Sequence, residues 1–336
     1  MPRAYIEGRM LPDGRTAYPR LVIVNQSSLQ PQPQPQARAR APPARPPPAV
    51  PDPLPLSNLP YRYKVVGDVG MRGLGGGNSG ILQVRKRSTG RVYVEKKLKP
   101  DHIQKGWAHD EVKILKFLGG KSNADSIVKL KDSFIDEQRL FGSIIFEHCT
   151  WGSCTDLINR HRPHEQYISE AWLWKAFRQL DDAIQCLHAR SALILHLDLK
   201  PSNILLVAGT NGPDIKVADF GTARSLDLHV EGANIWTPCY APPERTSHSN
   251  GLEKSTDVWG IGIIVLCLAK LSNTTPAIRD PGQLYTTELF DAIYACLRNQ
   301  PFNRVESRNL TALLGPKHRM ASSKWNRGVD PIGPRH

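Results

Sequence analysis

Cysteine is scarce and unpatterned in this chain. The six cysteines, Cys149, Cys154, Cys186, Cys239, Cys267 and Cys296, form no Cys-x-x-Cys pair, which argues against a zinc site and against a disulfide framework. That usage fits a reducing compartment, so the expected location is cytoplasmic or nuclear. Long apolar runs are missing as well. The most apolar stretch, GIGIIVLCLA from Gly260 to Ala269, is about half of what a bilayer requires; it reads as a buried core helix, and no membrane partner is expected. The opening MPRAYIEGRMLPDGR carries charges and prolines where a secretory signal needs an apolar stretch, so export is not expected. Acidic residues are in deficit, 31 Asp and Glu against 44 Lys and Arg, for a formal net charge of +13. The excess favours acidic partners such as nucleotide phosphates. Because the basic residues are spread along the chain and not gathered in a stripe, a solvated surface is the plainer reading, and nucleic acid is not the expected partner.

What is present suffices for an enzyme. With 336 residues, 40% of them hydrophobic, the chain can bury a sizeable core. From Gln30 to Pro60 proline dominates and aromatic or β-branched residues are almost missing, so residues 1–60 are expected to form a disordered Pro/Gln-rich arm. Its proline triplets suit a polyproline II ligand for an SH3 or WW domain, although such runs also serve as plain linkers. The short run LVIVN at 21–25 is marginal as a strand without partners and stays unassigned. Periodic sequence runs from Tyr61 to about Leu314, the length of one two-lobed catalytic domain, and residues 315–336 read as a basic tail. Glycine-rich turns and β-branched runs fill the part up to 147, and helical periods fill 150–314. The class is therefore α+β with segregated halves. In ISEAWLWKAFRQLDDAIQCLHAR, Ile168, Trp172, Leu173, Ala176, Leu180, Ala183, Ile184 and Leu187 recur at helical spacing behind Ser169, a candidate N-cap.

The chemistry-bearing residues follow the same order. In GGGNSG, Gly75, Gly77 and Gly80 make G-x-G-x-x-G, which lets backbone amides approach phosphate oxygens. A dinucleotide site wants a helix next, whereas ILQVRKRSTGRVYVEKKL reads as two strands about a Thr89-Gly90 turn, the pattern of a nucleotide flap. On the second strand Val92, Val94 and Lys96 alternate onto one face, and DEVKILKFL supplies a helix on which Glu111 can pair with Lys96. In HLDLKPSN, between a buried helix and the apolar ILLV, Asp198 can accept a hydroxyl proton, Lys200 can offset charge on a transferred phosphoryl group, and Asn203 can ligate magnesium. IKVADFGTAR brings Asp219, a second magnesium ligand, before a turn-permitting glycine.

Taken with EVKIL, YAPPE and DVWGIG, these motifs resemble, in this order, the eukaryotic protein kinase family, serine/threonine branch, over about residues 61–314. The resemblance implies a two-lobed kinase fold, with a small β-rich N-lobe at about 61–147 and a larger helical C-lobe at about 150–314. It implies ATP and Mg2+ as cofactors and protein Ser/Thr hydroxyls as acceptors. Lys96, paired with Glu111, would grip the phosphates under Gly75, Gly77 and Gly80; Asp198 would be the base; Asn203 and Asp219 would hold the metal. In IIFEHC, Phe146 would be the gatekeeper and the backbone of Glu147 to Cys149 would meet adenine, with Leu82, Val94 and Leu205 about the ring. Glu244 would pair with Arg304, Asp257 would anchor the catalytic-loop backbone, and Thr237 would bridge Asp198 and Lys200. Thr222, after the DFG glycine, implies a threonine preference, and Ser202 makes basic-directed specificity unexpected. Leu197 replaces the arginine that in many relatives binds a phosphate on the activation segment, and between Thr222 and Thr237 the only hydroxyl is Ser225. Activity independent of activation-segment phosphorylation is expected. The alternative is a pseudokinase that scaffolds partners without catalysis.

Overall fold

The computed structural model describes residues 4–7, 20–23, 62–68, 78–232, 236–246, 253–276, 284–314 and 329–333. The chain divides into two units, residues 1–52 and 53–336. In the first, β1 (Ala4–Glu7) pairs antiparallel with β2 (Arg20–Ile23), Ala4 opposite Ile23. Leu21, Val22 and Ile23 of the apolar run thus have partners in the opening residues. The proline-rich run at 30–60 lies outside the described residues.

The second unit holds a five-stranded antiparallel sheet in the order β3-β4-β5-β7-β6, from β3 (Tyr63–Asp68), β4 (Asn78–Lys86), β5 (Val92–Leu98), β6 (Leu130–Asp136) and β7 (Phe141–Glu147). Gly90, at φ +69°, closes the β4–β5 turn, a left-handed conformation glycine adopts without strain. α1 (Pro100–Gln104) and α2 (Trp107–Gly119) follow β5. The buried residues of α2, Ala108, Glu111, Val112, Ile114, Leu115 and Leu118, recur at helical spacing, so one face turns to the core and carries Glu111 with it.

The other lobe is mostly helical. α3 (Cys154–His161) opens with a capping box in which the Ser153 side chain accepts from the Asp156 amide and the Asp156 carboxylate accepts from the Ser153 amide. α4 (Glu170–Leu187) buries all seven of its residues expected inside, and Ile168 just ahead of it is buried too. Ser169 stands at the N-cap position of α4 but makes no side-chain cap: its hydroxyl donates to Asp330 Oδ1 at 3.2 Å instead. β8 (Ile204–Val207) and β9 (Asp214–Val217) form a small antiparallel ladder. After α5 (Pro243–Thr246) come α6 (Lys254–Ala269), buried from Thr256 to Ala269, and α7 (Thr287–Cys296). No helix among the described residues is long and apolar enough to cross a membrane.

Residues 329–333 are more than a solvated tail. Val329 bridges Ile168, its amide donating to Tyr167 O and its carbonyl accepting from Ser169 N–H, both at 2.8 Å. Ile332 N–H donates to His161 Nε2 at 2.8 Å, and Arg160 Nε donates to Ile332 O at 2.8 Å. The main chain of this stretch pairs where α3 meets α4, satisfying backbone groups that would otherwise be buried without partners.

Candidate active site

The site lies where the sheet, α2 and the loops around β8 and β9 converge. β5 sets Lys96 opposite Ile144 of β7 and Ile81 of β4. Its Nζ lies 2.8 and 2.9 Å from the two Glu111 oxygens and 2.7 Å from Asp219 Oδ1. Burial alone would lower the Lys96 pKa, but the two carboxylates outweigh it and raise it. Burial would raise Asp219, and the Lys96 ammonium instead draws it down to about 2. Glu111 is pushed upward, chiefly by burial. Two carboxylates against one ammonium leave a net negative charge at a partly buried place, an arrangement that favours a further cation. Asp219 sits at φ +65°, a strained conformation that aims its carboxylate at Lys96.

The catalytic loop is a second cluster. Asp198 Oδ1 accepts from the Thr237 hydroxyl at 2.9 Å and the Thr237 amide at 3.2 Å, while Oδ2 accepts from Lys200 Nζ at 2.6 Å. Lys200 also donates to Thr237 Oγ1 at 2.7 Å. Asn203 Nδ2 donates to Asp198 O at 2.8 Å, which turns the amide oxygen of Asn203 the other way. Below the loop, buried Asp257 of α6 accepts from His196 N–H at 2.9 Å, Leu197 N–H at 2.8 Å and His188 Nε2 at 2.9 Å. Burial would raise its pKa, yet these donors hold it low. Gly260 lets α6 approach: a Cβ there would lie 2.5 Å from that of Leu199. Arg304 grips Glu244 through Nη1 and Nη2, both at 2.6 Å.

Mg2+ commonly takes one or two protein oxygens and completes its shell with phosphate and water; the Asp219 carboxylate and the Asn203 amide oxygen beside the net-negative cluster fit that demand. For the nucleotide, Gly75 and Gly77 lie outside the described residues, whereas Gly80 (φ +148°) has open space where a Cβ would stand. Phe146 lies opposite Val94, so both share the Lys96 face of the sheet. Glu147 N–H donates to Lys129 O at 3.1 Å, and Cys149 O accepts from Gly152 N–H at 3.3 Å. Leu205 is half-buried against the main core.

Leu82 is a correction. It stands opposite Glu95, one step out of phase with Lys96, and packs on the far face of the sheet with Tyr63, Val84 and Ile145. From Arg85 opposite Val92 back to Gly80 opposite Lys97 the β4–β5 register is unbroken, so side chains alternate and Leu82 falls on the face away from Lys96. Ile81, opposite Lys96, and Gln83, opposite Val94, occupy the cleft side instead, with Gln83 Nε2 3.2 Å from His148 Nε2 at the hinge. Counting outward from the four-residue turn at 87–90 was the signal that finds them. Arg245, whose Nη1 donates to Leu197 O, carried no sequence signal.

A five-stranded lobe, a helical lobe and this pair of clusters define a two-lobed kinase-type architecture. The protein kinase domain model matches residues 69–314; the chain belongs to that family. It is 32% identical over 217 residues to "Probable serine/threonine-protein kinase nek2" of Dictyostelium discoideum, covering 63% of this chain and 49% of that protein. It is 31% identical over 207 residues to "Serine/threonine-protein kinase Nek2" of Homo sapiens, covering 59% and 45%. Over 170 residues it is 35% identical to "Probable serine/threonine-protein kinase MARK-C" of Dictyostelium discoideum, covering 49% and 20%. The chain spans about half the length, or less, of the curated relatives it matches.

Proposed function

We propose that this protein is a serine/threonine protein kinase that transfers the γ-phosphoryl group of ATP to protein hydroxyls. The observation that carries the reading is the joint geometry of Lys96, Glu111 and Asp219 within 2.9 Å and of Asp198 held between Thr237 and Lys200. Lys96, oriented by Glu111, holds the α- and β-phosphates. Asp219 and Asn203 would hold Mg2+, which when bound neutralises charge on the phosphates. Asp198 orients the acceptor hydroxyl and takes its proton as the new O–P bond forms and the bond from γ-phosphorus to the bridging oxygen breaks, releasing ADP. Lys200 offsets charge on the moving phosphoryl group.

The same reading includes independence from activation-segment phosphorylation. Two observations support it: Leu197 cannot bind phosphate, and Ser225 is 2% exposed with its Oγ accepting from Leu228 N–H, so a modifying enzyme could not reach it without local unfolding. A threonine preference rests on Thr222, whose hydroxyl donates to His196 O at 3.0 Å; equal rates on matched Ser and Thr peptides would remove it. A proline-directed SH3 or WW partner and a cytoplasmic or nuclear location rest on sequence alone. The test is transfer of labelled phosphate from ATP to a generic protein substrate by the wild type, Asp198→Ala and Lys96→Met. Signal in the wild type alone is expected; equal signals from all three, or none from the wild type, would leave the scaffold reading.

A further inference from the structure

Leu197 occupies an awkward place. It adopts φ +68°, a region that side chains larger than glycine and asparagine seldom enter, and it is only 5% exposed. Strain of this kind persists where the surroundings over-determine the backbone. Its amide is fixed by Asp257. Its carbonyl faces the opposite way, toward the end of the activation segment, where Arg245 Nη1 donates to it at 2.5 Å. The Arg245 guanidinium also lies 4.9 Å from the centre of the Trp236 ring, within cation–π range. Trp236 directly precedes Thr237, which holds Asp198 through both its amide and its hydroxyl.

Arg245 itself is well anchored. Its neighbour Glu244 points the other way into the two-pronged bond with Arg304, so the backbone at 244–245 is tied to the core of the lobe. Leu197, Asp198, Trp236, Thr237 and Arg245 then surround one small cavity beside the catalytic loop.

We propose that Arg245 is a positioning residue for Asp198, joining the end of the activation segment to the catalytic loop through the Leu197 carbonyl. The inference rests on the kinase reading above and extends it. A segment tied this way needs no phosphate to dock against residue 197: the cation comes from the segment and the acceptor from the loop, the reverse of an arginine at 197 meeting a phosphorylated segment. The planar fork of Arg245 can serve the carbonyl with one edge while its face rests on Trp236.

The test uses the full chain as wild type, Arg245→Gln and Arg245→Lys, with three readouts: kcat and KM for ATP, hydrogen exchange of the 195–199 backbone amides, and the thermal unfolding midpoint. Arg245→Gln is expected to lower kcat about tenfold, the scale of one charge-assisted hydrogen bond, with KM for ATP within about twofold and with exchange at 195–199 accelerated about tenfold. Arg245→Lys, which keeps a charged donor, is expected to regain most of the kcat and of the protection. Unchanged kcat and exchange in Arg245→Gln would overturn the proposal. So would equal losses in both variants accompanied by a lowered unfolding midpoint, the mark of a merely structural residue. A wild type without phosphotransfer would remove the kinase reading, while the exchange comparison would still decide whether Arg245 holds the loop.

Discussion

At the junction of the lobes, Lys96, Glu111 and Asp219 meet chiefly through side-chain charge, whereas the catalytic loop at 196–203 is fixed largely through its own backbone, by Asp257 below and Arg245 beside it. The first cluster is unbalanced, two carboxylates to one ammonium. The second is closed: the backbone groups of 196 to 198 that face protein find buried partners. A charged cluster with room for a further cation and a loop fixed through its backbone are what phosphoryl transfer between two substrates asks of a site.

The sharpest way to separate the two is Lys96→Met. It should cut phosphotransfer about 1,000-fold or more, equivalent to ~4 kcal/mol of transition-state stabilisation, while hydrogen exchange at 195–199 stays at the wild-type rate. Loosening of the loop in that variant would show that the clusters are one unit after all.

Asp257→Asn attacks the other side. An asparagine oxygen in the place of Oδ2 can accept from His196 N–H and His188 but then turns its NH2 toward Leu197 N–H, leaving a buried donor facing a donor. We expect a loss of about 3 kcal/mol in urea-induced unfolding, together with lost transfer; wild-type stability would mean that the loop is held elsewhere. Gly260→Ala is gentler. The added methyl must displace Leu199, which stands between Asp198 and Lys200, at about 2 kcal/mol of overpacking. Here kcat should fall further than the unfolding free energy alone explains, since the displaced residue lies in the loop itself.

The two regions also differ in how far the sequence discloses them. Asp198, Lys200, Asn203 and Asp219 stand in contiguous motifs, so their convergence follows from local spacing plus a fold-level resemblance. Glu111 was legible because the apolar period of α2 fixes which face turns inward. Leu82 is set at the ring by the resemblance alone, whereas the β4–β5 register counted from the turn puts it opposite Glu95, out of phase with Lys96. Ser169 looks like a cap in sequence, yet its hydroxyl is drawn to Asp330, a residue 161 positions away. Arg245 and the docked 329–333 segment share that cause: each is defined by a partner distant in sequence, and neither carries a periodic or spacing signal of its own.

The docked segment offers the smallest effect. His161 is fully buried, with Nδ1 2.7 Å from Gln166 O and Nε2 2.8 Å from the Ile332 nitrogen. A backbone amide can only donate and a carbonyl can only accept, so the ring must be neutral, with its proton on Nδ1. Burial first, then the neighbouring Arg160 guanidinium, holds its pKa below the usual 6.5 despite the Gln166 carbonyl. A group whose folded pKa is depressed favours folding above its unfolded pKa and loses that contribution as pH falls. The stabilisation from His161 should therefore be complete above about pH 6.5 and fade below it. His161→Gln keeps a donor and an acceptor but does not titrate. Between pH 7.5 and 5 the wild type should lose about 1 kcal/mol more than this variant, the scale of the single hydrogen bond at stake, and proteolysis near residue 329 should speed up over the same range. Parallel pH profiles for the two proteins would show that the segment is held by Arg160, the Val329 bridge and the Ser169–Asp330 hydrogen bond instead.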